Sequence, residues 1–595
     1  MRFHAQRVLV FAGLLFTLST VHCQAVDLPP PQEQNPGTDQ GWTEQDRQQW
    51  YHTSAGTQLI PYDWFVALVD EQLEKAFAQT GILPGRTREG DRLPVGLSEP
   101  KAPNPSSSPT GMNCAFCHTT QLTYQGNQMR IEGGPSLQNN QQFLNALMER
   151  LGALISPDLP TLLKGLKEQN PPEPFKTFAT KVLERRGEGM TVHTLRKLAI
   201  DVATRTQTLI SRGGTDLSPA RWGPGRFDAL GRGGNTVFVP LSPDNLRPAN
   251  APVSIPALWG VWEYDWVQWA GSIQHPLARN VAQVIGVNAE LFAWTKKPPL
   301  GPLDEDYKFH SSVDIDALKQ LEHLARQLQP PQWPKAFPPI KRELAERGRD
   351  LYHGNQSKGI PNLCAHCHVA KRIENPTLNG PSLQVTMIPQ KEIGTDPLYL
   401  ENFSRRTVDT GPLERGRLSA REASQYVTTE ILARNHVADD PEYGHRTNEW
   451  RDWPQYIARP HLAVWATAPF LHNGSVPNLY ELLSPAKDRH RCFYLSPNME
   501  FDPQYVGYKI IECDPAAPGP PGGFKFETYL PGNGNGGHEF TDSPTCNGPA
   551  GNGVLGCELP PDDRWAIIEY LKTCDLDRRV MRSAPVCHDL DQRGS

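Results

Sequence analysis

The hydrophobic pattern predicts separate amphipathic helices joined by long irregular segments. Apolar residues recur every three or four positions, the spacing of one helix face, from Trp64 to Phe77 and again from Leu318 to Leu328. Further helices are expected at residues 340–353, in an insertion at about 140–211, and after the start signal Pro560-Pro561-Asp562-Asp563. Few stretches alternate apolar and polar residues with β-branched side chains, a pattern typical of strands. The chain is therefore predicted to be mainly α with long loops.

Residues 1–25 have the pattern of a secretory signal peptide. Arg2 and Arg7 precede an apolar run from Val8 to Leu18, and Ala25 offers a small residue for cleavage. The alternative is a lipoprotein signal in which Cys23 carries the lipid. No later apolar run reaches the length of a membrane-spanning helix. We therefore expect a mature protein that is exported, either periplasmic or secreted, without a transmembrane segment.

The composition favours long loops and argues against nucleic acid as a partner. The 595 residues include 57 prolines and 49 glycines, which favours long ordered loops over continuous regular structure. With 59 basic and 65 acidic residues, the net charge is −6. A mild acidic excess leaves no electrostatic footprint for nucleic acid.

Two Cys-x-x-Cys-His motifs carry the strongest chemical signal. They are Cys114 to His118 and Cys364 to His368. Two thiols at this spacing can bond to the two vinyl groups of one haem, and the adjacent histidine can then ligate the iron. A thioredoxin-like redox motif or half of a zinc site is the alternative, but neither setting is present. We therefore predict two covalently bound haem c groups, ligated by His118 and His368.

The surroundings of the two motifs are alike. The string Gly-Pro-Ser-Leu-Gln begins 16 residues after His118 and recurs 12 residues after His368. Such a recurrence indicates an internal duplication. The string resembles the Gly-Pro-x-Leu loop of class I cytochromes c, in which the proline carbonyl accepts a hydrogen bond from the ligating histidine. That resemblance assigns this role to Pro135 and Pro381.

The duplication predicts two haem domains. Each repeats the order of helix, haem motif, loop and terminal helix, as class I cytochrome c-like domains do. We place the first at residues 40–330, enlarged by insertions, and the second at residues 335–595. Residues 329–339 contain five prolines and read as the linker between them.

Several segments resemble the bacterial dihaem cytochrome c peroxidase superfamily, and most closely its rubber oxygenase-like branch. The segment from Ala468 to Leu479, with His472-Asn473-Gly474-Ser475 at its centre, is similar to part of the second domain of those proteins. Arg459-Pro460 and the stretch from Gly537 to Phe540 match the rubber oxygenase-like branch. In the first half, residues 225–229 and 258–280 look similar to the same branch.

The resemblance implies different sixth ligands for the two haems. Peroxidases use a methionine about 14 residues after the position of His472, but Ala486 stands there. The rubber oxygenase-like branch uses a histidine, and His538 stands at the matching position; otherwise it would be an ordinary loop histidine. Two histidine ligands suit an electron-transferring haem.

The first haem is expected to keep one face open. No histidine lies between His118 and Gln138, where peroxidases place a distal one. Trp266 and Trp269 belong to four tryptophans at helical spacing, which form either an apolar distal wall with a catalytic role or simply part of the core. His275 is a competing sixth ligand.

The six cysteines from Cys492 to Cys587 all follow the second motif, and in an exported chain they predict three disulfide bonds. Sequential pairing is the simplest of the 15 connectivities.

Together these patterns predict an exported dihaem oxidoreductase. The first haem would activate dioxygen or hydrogen peroxide, and the second would transfer electrons. The resemblance favours oxygenase-like cleavage of an apolar alkene of the polyisoprene type. The alternatives are a peroxidase that takes electrons from a small redox protein, and an electron carrier without catalysis. A calcium ion, common between the domains of peroxidase relatives, stays open because the sequence offers no motif for it.

Overall fold

Helices and short strands are interspersed throughout the part of the chain that the computed structural model describes. The described residues are 39–87, 89–101, 108–155, 173–186, 200, 207, 211, 213–214, 217, 221–289, 311–369, 371–375, 380–514, 519–520, 522–543 and 551–573. The signal peptide predicted at residues 1–25 lies outside them, as do Cys546, Cys574 and Cys587. The structure is 39% helical and 18% strand. The prediction of a mainly α protein is therefore wrong.

The first half contains nine helices and six strands among the described residues. The helices are α1 (Glu44–His52), α2 (Tyr62–Leu68), α3 (Glu71–Gln79), α4 (Cys114–Cys117), α5 (Asn140–Ile155), α6 (Glu173–Arg186), α7 (Ala229–Phe238), α8 (Pro276–Gly286) and α9 (Ile315–Gln327). The strands are β1 (Ile60–Pro61), β2 (Pro109–Thr110), β3 (Thr119–Tyr124), β4 (Asn127–Glu132), β5 (Arg226–Phe227) and β6 (Val253–Ser254).

The second half contains six helices and thirteen strands in the described part. The helices are α10 (Arg342–His353), α11 (Gln390–Ile393), α12 (Leu398–Ser404), α13 (Ala420–Arg434), α14 (Leu479–Leu482) and α15 (Pro561–Lys572). The strands are β7 (Lys371–Asn375), β8 (Gly380–Gln384), β9 (Thr386–Pro389), β10 (Thr407–Asp409), β11 (Arg417–Ser419), β12 (Gln455–Ala458), β13 (Cys492–Leu495), β14 (Phe501–Asp502), β15 (Gly507–Tyr508), β16 (Ile511–Glu512), β17 (Phe524–Glu527), β18 (Glu539–Thr541) and β19 (Val554–Cys557).

The strands form nine small sheets in the described part of the chain, eight of them two-stranded. The antiparallel hairpin β3–β4 begins directly after His118, with Thr119 paired to Glu132. The hairpin β7–β8 follows His368 in the same way, with Lys371 paired to Gln384. Most of these strands are too short for an alternating pattern to emerge, because alternation needs at least four residues to be recognised. The hydrophobic periodicity of the sequence therefore did not predict these strands.

The helix expected from Trp64 to Phe77 is two helices. Val69 adopts an extended conformation at the end of α2, and the Asp70 side chain accepts a hydrogen bond from Leu73 N–H to begin α3. A helix N-cap needs this non-helical conformation, so the apolar spacing continues across a break in the backbone. The helices expected around Leu318 to Leu328, at 340–353 and after Pro560 are present as α9, α10 and α15.

The main hydrophobic core extends from Trp42 to Leu571 and takes residues from both predicted domains. The supposed linker is part of it: Phe337 is 4% exposed and stacks on Phe501 with ring centroids 5.3 Å apart. A second cluster, with Phe65 and Phe143 among its members, belongs to the first half alone. The domain limits 40–330 and 335–595 stay a prediction, and the core crosses the boundary between them.

One segment of the backbone occurs twice, at residues 260–275 and, 203 positions later, at residues 463–478. Each copy opens with a left-handed residue, Gly260 or Ala463, that precedes a turn of 3-10 helix. Each ends on an N-cap, where His275 begins α8 and Asn478 begins α14. We call these two copies the repeated segment.

Further backbone details of the repeated segment agree between the copies. Gln268 and Leu471, at equivalent positions, both have a positive φ, of 71° and 62°. Positive φ is uncommon outside glycine, so its recurrence at the same place is informative. Gly271 and Gly474 also match, with φ of 53° and 69°. The duplication expected from the sequence therefore extends to the backbone.

Candidate functional site

The first Cys-x-x-Cys-His motif forms α4 and the residue that ends it. Asn113 caps the helix: its side-chain oxygen accepts a hydrogen bond from Ala115 N–H at 3.0 Å. Its amide nitrogen donates to the carbonyls of Trp50, Tyr51 and Thr53, each at about 3 Å, near the end of α1. These carbonyls are among the groups that a helix end leaves unpaired. Asn113 thereby fixes the motif against α1.

A cavity of about 80 Å³ lies beside the first motif. Cys114 and His118 line it, together with a polar group of Gln268, Arg279, Asn280, Gln283 and Glu322. The other lining residues are Trp50, Pro256, Ala257, Leu258, Val261, Trp262, Val267, Leu321 and Ala325. His118 is the one imidazole among the described residues that line this cavity.

Hydrogen bonds connect the polar residues of the first cavity to the protein surface. Arg279 donates to the Asn280 side-chain oxygen at 2.8 Å, and Asn280 donates to Glu322 at 3.1 Å. Arg326 donates to the second oxygen of Glu322 at 2.7 Å and also pairs with the half-exposed Glu442. The first cavity therefore holds a buried carboxylate with a chain of polar groups leading outward.

The second motif is a tight turn rather than a helix. His368 N–H donates to the carbonyl of Cys364 at 3.0 Å, as His118 N–H does to Cys114. The N–H groups of Cys364 and Ala365 both donate to the carbonyl of Tyr352, in the last turn of α10. The end of α10 thus positions the second motif.

A larger cavity, of about 220 Å³, lies beside the second motif. Cys364, Cys367 and His368 line it together with four further histidines, His366, His461, His472 and His538. Most of the remaining lining residues are apolar, among them Ile393, Leu483 and Phe540. The two cavities therefore differ sharply in their number of imidazoles.

The hydrogen bond on His368 fixes which of its nitrogen atoms is free. Nδ1 lies 2.8 Å from the carbonyl oxygen of Arg459, and a carbonyl can only accept. Nδ1 therefore carries the proton, and Nε2 keeps the lone pair that a metal needs. This carbonyl belongs to Arg459, whereas the sequence assigned the role to Pro381. The reason is that the chain brings β12 and its continuation, 91 residues away, against the motif.

His538 faces His368 across the second cavity. Their ring centroids are 6.1 Å apart, with an angle of 60° between the planes. Two imidazoles on opposite sides of one metal ion, each bonded at about 2 Å, have ring centres about 6 Å apart. Nδ1 of His538 is buried and has no hydrogen-bond partner among the described residues. The spacing therefore fits two imidazoles that would hold one metal ion between them.

His461 occupies a different place in the same cavity. Its ring stacks on that of His368 with centroids 3.9 Å apart, which is too close to leave room for a metal between them. Its Nδ1 lies 3.1 Å from the Tyr352 hydroxyl. His461 is thus in direct contact with His368, and it is also close enough to His538 for the charges of the two rings to interact.

The ring of His472 is hydrogen-bonded to Tyr456. The Tyr456 hydroxyl donates its only proton to the carbonyl of Asp396 at 2.7 Å, so Nε2 of His472, 3.1 Å away, must donate to the hydroxyl oxygen. The two rings also stack with centroids 4.2 Å apart. This arrangement agrees with a structural position beside a haem edge rather than ligation through Nε2.

Burial dominates the protonation of both sites. Loss of solvation lowers the pKa of His118 and of His538 to about 3, so both rings are neutral, as metal ligation requires. It raises the pKa of the Cys114 thiol to about 11 and that of Cys117 to about 12. Thiol-redox motifs instead lower the pKa of a cysteine. The electrostatics thus disfavour a redox dithiol.

The residues present fit a covalently attached haem at each motif. In the described part of the chain, Cys114, Cys117, Cys364 and Cys367 are free cysteines. Cys364 and Cys367 line the second cavity together with His368, and Cys114 lines the first cavity together with His118. The backbone hydrogen bond that acts on the buried His118 ring comes from Pro256, so the structure does not give this ring the carbonyl of Pro135.

One short stretch separates the two cavities. Pro256 and Ala257 line both of them. The guanidinium of Arg459 donates to the carbonyl of Ala257 at 2.6 Å, while its own carbonyl accepts from His368. The two sites thus share a wall that is hydrogen-bonded to the second motif.

The structure places Trp266 and Trp269, which the sequence analysis assigned to the first haem, outside the first cavity. Trp269 lines the second cavity and donates to the carbonyl of Ser254 at 2.7 Å. Trp266 stacks on Arg451, whose guanidinium carbon lies 3.8 Å from the ring centroid. Neither lines the first cavity, because the segment is the irregular repeated segment and not a helix. His275 caps α8, accepting from Ala278 N–H through Nδ1, and it too lies outside that cavity.

The disulfide and metal predictions have mixed outcomes. Cys492 and Cys513 form a disulfide bond, as sequential pairing predicts, and Cys557 is also disulfide-bonded. Across the described ranges, no group of three or more His, Cys, Asp or Glu side chains is arranged to hold a metal ion. The same ranges contain no helix long and apolar enough to cross a membrane.

Sequence reasoning missed His461 and Arg459 as members of the second site. Arg459-Pro460 was noted as a motif, but its contact with His368 depends on the tertiary fold. An Arg-Pro-His string near the centre of the second half was the only local signal.

Comparison with known proteins agrees with a cytochrome. Residues 455–494 match a family model described as RoxA-like, cytochrome c-like. The chain is 32% identical to the uncharacterized protein y4iJ of Sinorhizobium fredii (strain NBRC 101917 / NGR234), an alignment that covers 95% of this chain and 97% of the relative. It is 26% identical to the uncharacterized protein y4iM of the same strain, over 48% of this chain and 55% of that relative.

Proposed function

The chain belongs to the same family as y4iJ, and from this premise and its RoxA-like cytochrome c-like segment we propose that it is an exported dihaem c-type cytochrome with oxidoreductase activity. The family match implies covalently bound haem c. The proposal assigns one haem to Cys114, Cys117 and His118 and the other to Cys364, Cys367 and His368.

The two haems are assigned different roles because the two cavities are lined by different numbers of histidines. The second cavity has His538 at 6.1 Å from His368, centroid to centroid, which supports two protein ligands there. The first cavity has His118 alone among the described residues that line it. A haem iron with protein ligands on both faces transfers electrons, whereas one with a free face can bind dioxygen or peroxide. We therefore assign the reaction to the first site.

Around the first site, the chain's own residues supply charge and hydrogen bonds. Arg279 and Asn280 are positioned to donate to an oxidant. Glu322 is the buried carboxylate of this cavity, and Asn280 and Arg326 fix the positions of its two oxygens. A positioned acid or base of this kind commonly contributes 10²–10⁴-fold to a proton-transfer step.

Two reactions are candidates for the first site. The resemblance to rubber oxygenase-like proteins favours cleavage of an apolar alkene, of the polyisoprene type, with dioxygen. Glu322 favours the second candidate, reduction of hydrogen peroxide, because cleavage of its O–O bond benefits from an acid or base. The redox partner of that reaction would be a small electron-carrying protein.

Electron paramagnetic resonance of the purified holoprotein tests the assignment of roles. We expect one high-spin and one low-spin ferric haem, and in His538→Ala the low-spin signal should be lost. Two low-spin signals in the wild type would instead indicate an electron carrier without catalysis.

Parallel assays then separate the two reactions. Oxygen uptake in the presence of polyisoprene is compared with turnover of hydrogen peroxide by reduced cytochrome c. The proposal expects one of these activities to depend on the high-spin haem, and the absence of both would contradict a catalytic role for these substrates.

A further inference from the structure

His538 has a backbone conformation that needs external support. Its φ is 46°, in the left-handed region that residues with a side chain seldom adopt. Strained conformations of this kind persist only where the surroundings hold them in place. One support is local, since His538 N–H donates to the carbonyl of Ile393 at 2.8 Å.

The loop before His538 has little stiffness of its own. Residues 532–537 read Gly-Asn-Gly-Asn-Gly-Gly, and glycine has the greatest backbone freedom to lose on folding. We call residues 532–538 the ligand loop. Its beginning is held by Asp396, whose carboxylate accepts from the N–H groups of Gly532 and Gly534 at 2.9 and 3.1 Å. That contact lies four residues or more from His538.

Arg489 holds the end of the ligand loop. Its guanidinium donates to the carbonyls of Asn535 at 2.5 Å, of Gly537 at 2.9 Å and of His538 itself at 2.9 Å. Hydrogen bonds from a charged donor are stronger than neutral ones. Arg489 is therefore the side chain whose bonds reach the backbone of His538 directly.

The same guanidinium is anchored on its other side. It donates to the carbonyls of Glu481 and Leu482, both at 3.2 Å, and more weakly to that of Ser484 at 3.5 Å. These carbonyls lie in α14 and the turn that follows it. With 3% of its surface exposed, Arg489 is a buried cation that connects α14 to the ligand loop through backbone groups alone.

We propose that Arg489 is a positioning residue that holds His538 in place as the second axial ligand of the haem at the Cys364–His368 motif. The inference rests on the proposed function, in which His538 is that ligand. Arg489 is not a ligand itself, because a guanidinium has no lone pair to give to a metal and its N–H groups are engaged with carbonyls. Its role is to restrict where the imidazole of His538 can be.

The test uses full-length holoprotein carrying Arg489→Gln or Arg489→Lys. Neither glutamine nor lysine can donate to the carbonyls of the ligand loop and of α14 at once, as the Arg489 guanidinium does. His538 should therefore leave the iron for part of the time. We expect the low-spin signal of the second haem to fall at least twofold, and added imidazole to restore it. Imidazole should also bind this haem at least tenfold more tightly than in the wild type, because it no longer competes with a positioned ligand.

The neighbouring Arg491, which is exposed, provides the matched control. Arg491→Gln removes the same charge two residues away and should leave the low-spin signal and the imidazole affinity unchanged. A wild-type low-spin signal and imidazole affinity in both Arg489 variants would overturn the proposal.

The variant His538→Ala distinguishes a failure of the role of Arg489 from a failure of the assignment of His538 as a ligand. If His538→Ala keeps a low-spin second haem, the ligand assignment in the proposed function has failed. If His538→Ala loses the signal while both Arg489 variants keep it, only the role of Arg489 has failed. Should Arg489→Gln not accumulate as holoprotein, Arg489→Lys, which keeps the charge, decides by the same two measurements.

Discussion

At the scale of single residues, the histidines differ in the hydrogen-bond and stacking partners of their rings. The sequence identified His118 and His368 because covalent haem attachment demands a fixed spacing, and it identified His538 through a family resemblance. It could not identify His461, because stacking on His368 depends on a chain reversal 93 residues long that no local pattern encodes. The tryptophans were misplaced for a similar reason: Gln268 has a positive φ, which ends any helical relation between Trp266 and Trp269.

His490 gives a prediction at this scale. Its ring lies 3.0 Å from Glu481 and 2.9 Å from Glu512, and these carboxylates raise its pKa above the usual value. Protonated His490 therefore stabilises the folded state at low pH, and this stabilisation is lost as the pH rises through the raised pKa. The His490 side chain is 25% exposed and that of Glu512 is 76% exposed, so solvent screens the interaction and its contribution is about 0.5 kcal/mol.

Urea unfolding of His490→Gln should show a loss of stability at pH 5.5 that shrinks towards zero at pH 8.5. The exposed His436, whose ring is 3.9 Å from Asp439, serves as the control, and His436→Gln should have little effect at either pH. A larger loss for His490→Gln at pH 8.5 than at pH 5.5 would contradict the assignment.

At the scale of elements, long helices followed from the sequence and short strands did not. The terminal helix α15 was predictable because Pro561 stands at its first position with Asp562 and Asp563 in the first turn. The hairpin β3–β4 buries Leu122, Met129 and Ile131, yet its other residues are mostly polar, so each strand contributes at most two buried apolar side chains to the pattern. Which short segments pair is decided by the tertiary structure around each haem motif.

The crossing of α10 and α15 yields a prediction at this scale. A Cβ on Gly348 would lie 1.9 Å from the carbonyl oxygen of Ala566, so the two helix backbones are in direct contact there. Gly348→Ala should push the helices apart and cost about 3 kcal/mol, the upper end for overpacking. Thermal unfolding followed by circular dichroism measures this cost.

Gly152, in α5, is the matched control for that substitution. A Cβ there meets nothing within 4 Å, so Gly152→Ala should be neutral or stabilising by up to about 1 kcal/mol. Equal effects of the two substitutions would show that helix propensity and not close packing decides the outcome.

At the scale of the whole molecule, the two halves are joined more closely than two linked domains. The main core runs across both, the proline-rich segment is packed within it, and Pro256 and Ala257 line both cavities. Arg226 of the first half adds a buried contact, donating to the side-chain oxygen of Asn533 in the ligand loop at 2.7 Å. The sequence showed two motifs and a duplication, but not how much surface the copies bury together.

We therefore expect the described core to unfold as one cooperative unit. Thermal unfolding of the holoprotein should give the same midpoint by far-ultraviolet circular dichroism and by Soret absorbance, since coincident probes are the mark of a two-state transition. Two separated transitions, one for each haem environment, would contradict this expectation.

The repeated segment also bears on how the two sites came to differ. Ser254 N–H donates to the carbonyl of His472 at 2.8 Å, and at the equivalent positions Ile457 N–H donates to that of Trp269 at 2.9 Å. A contact that is returned in this way is the mark of an isologous interface, the kind that joins two identical subunits about a twofold axis. In such a dimer every substitution appears twice. Once the two copies share one chain, each can diverge alone, and Leu258 now lines the first cavity where His461, its equivalent, lines the second.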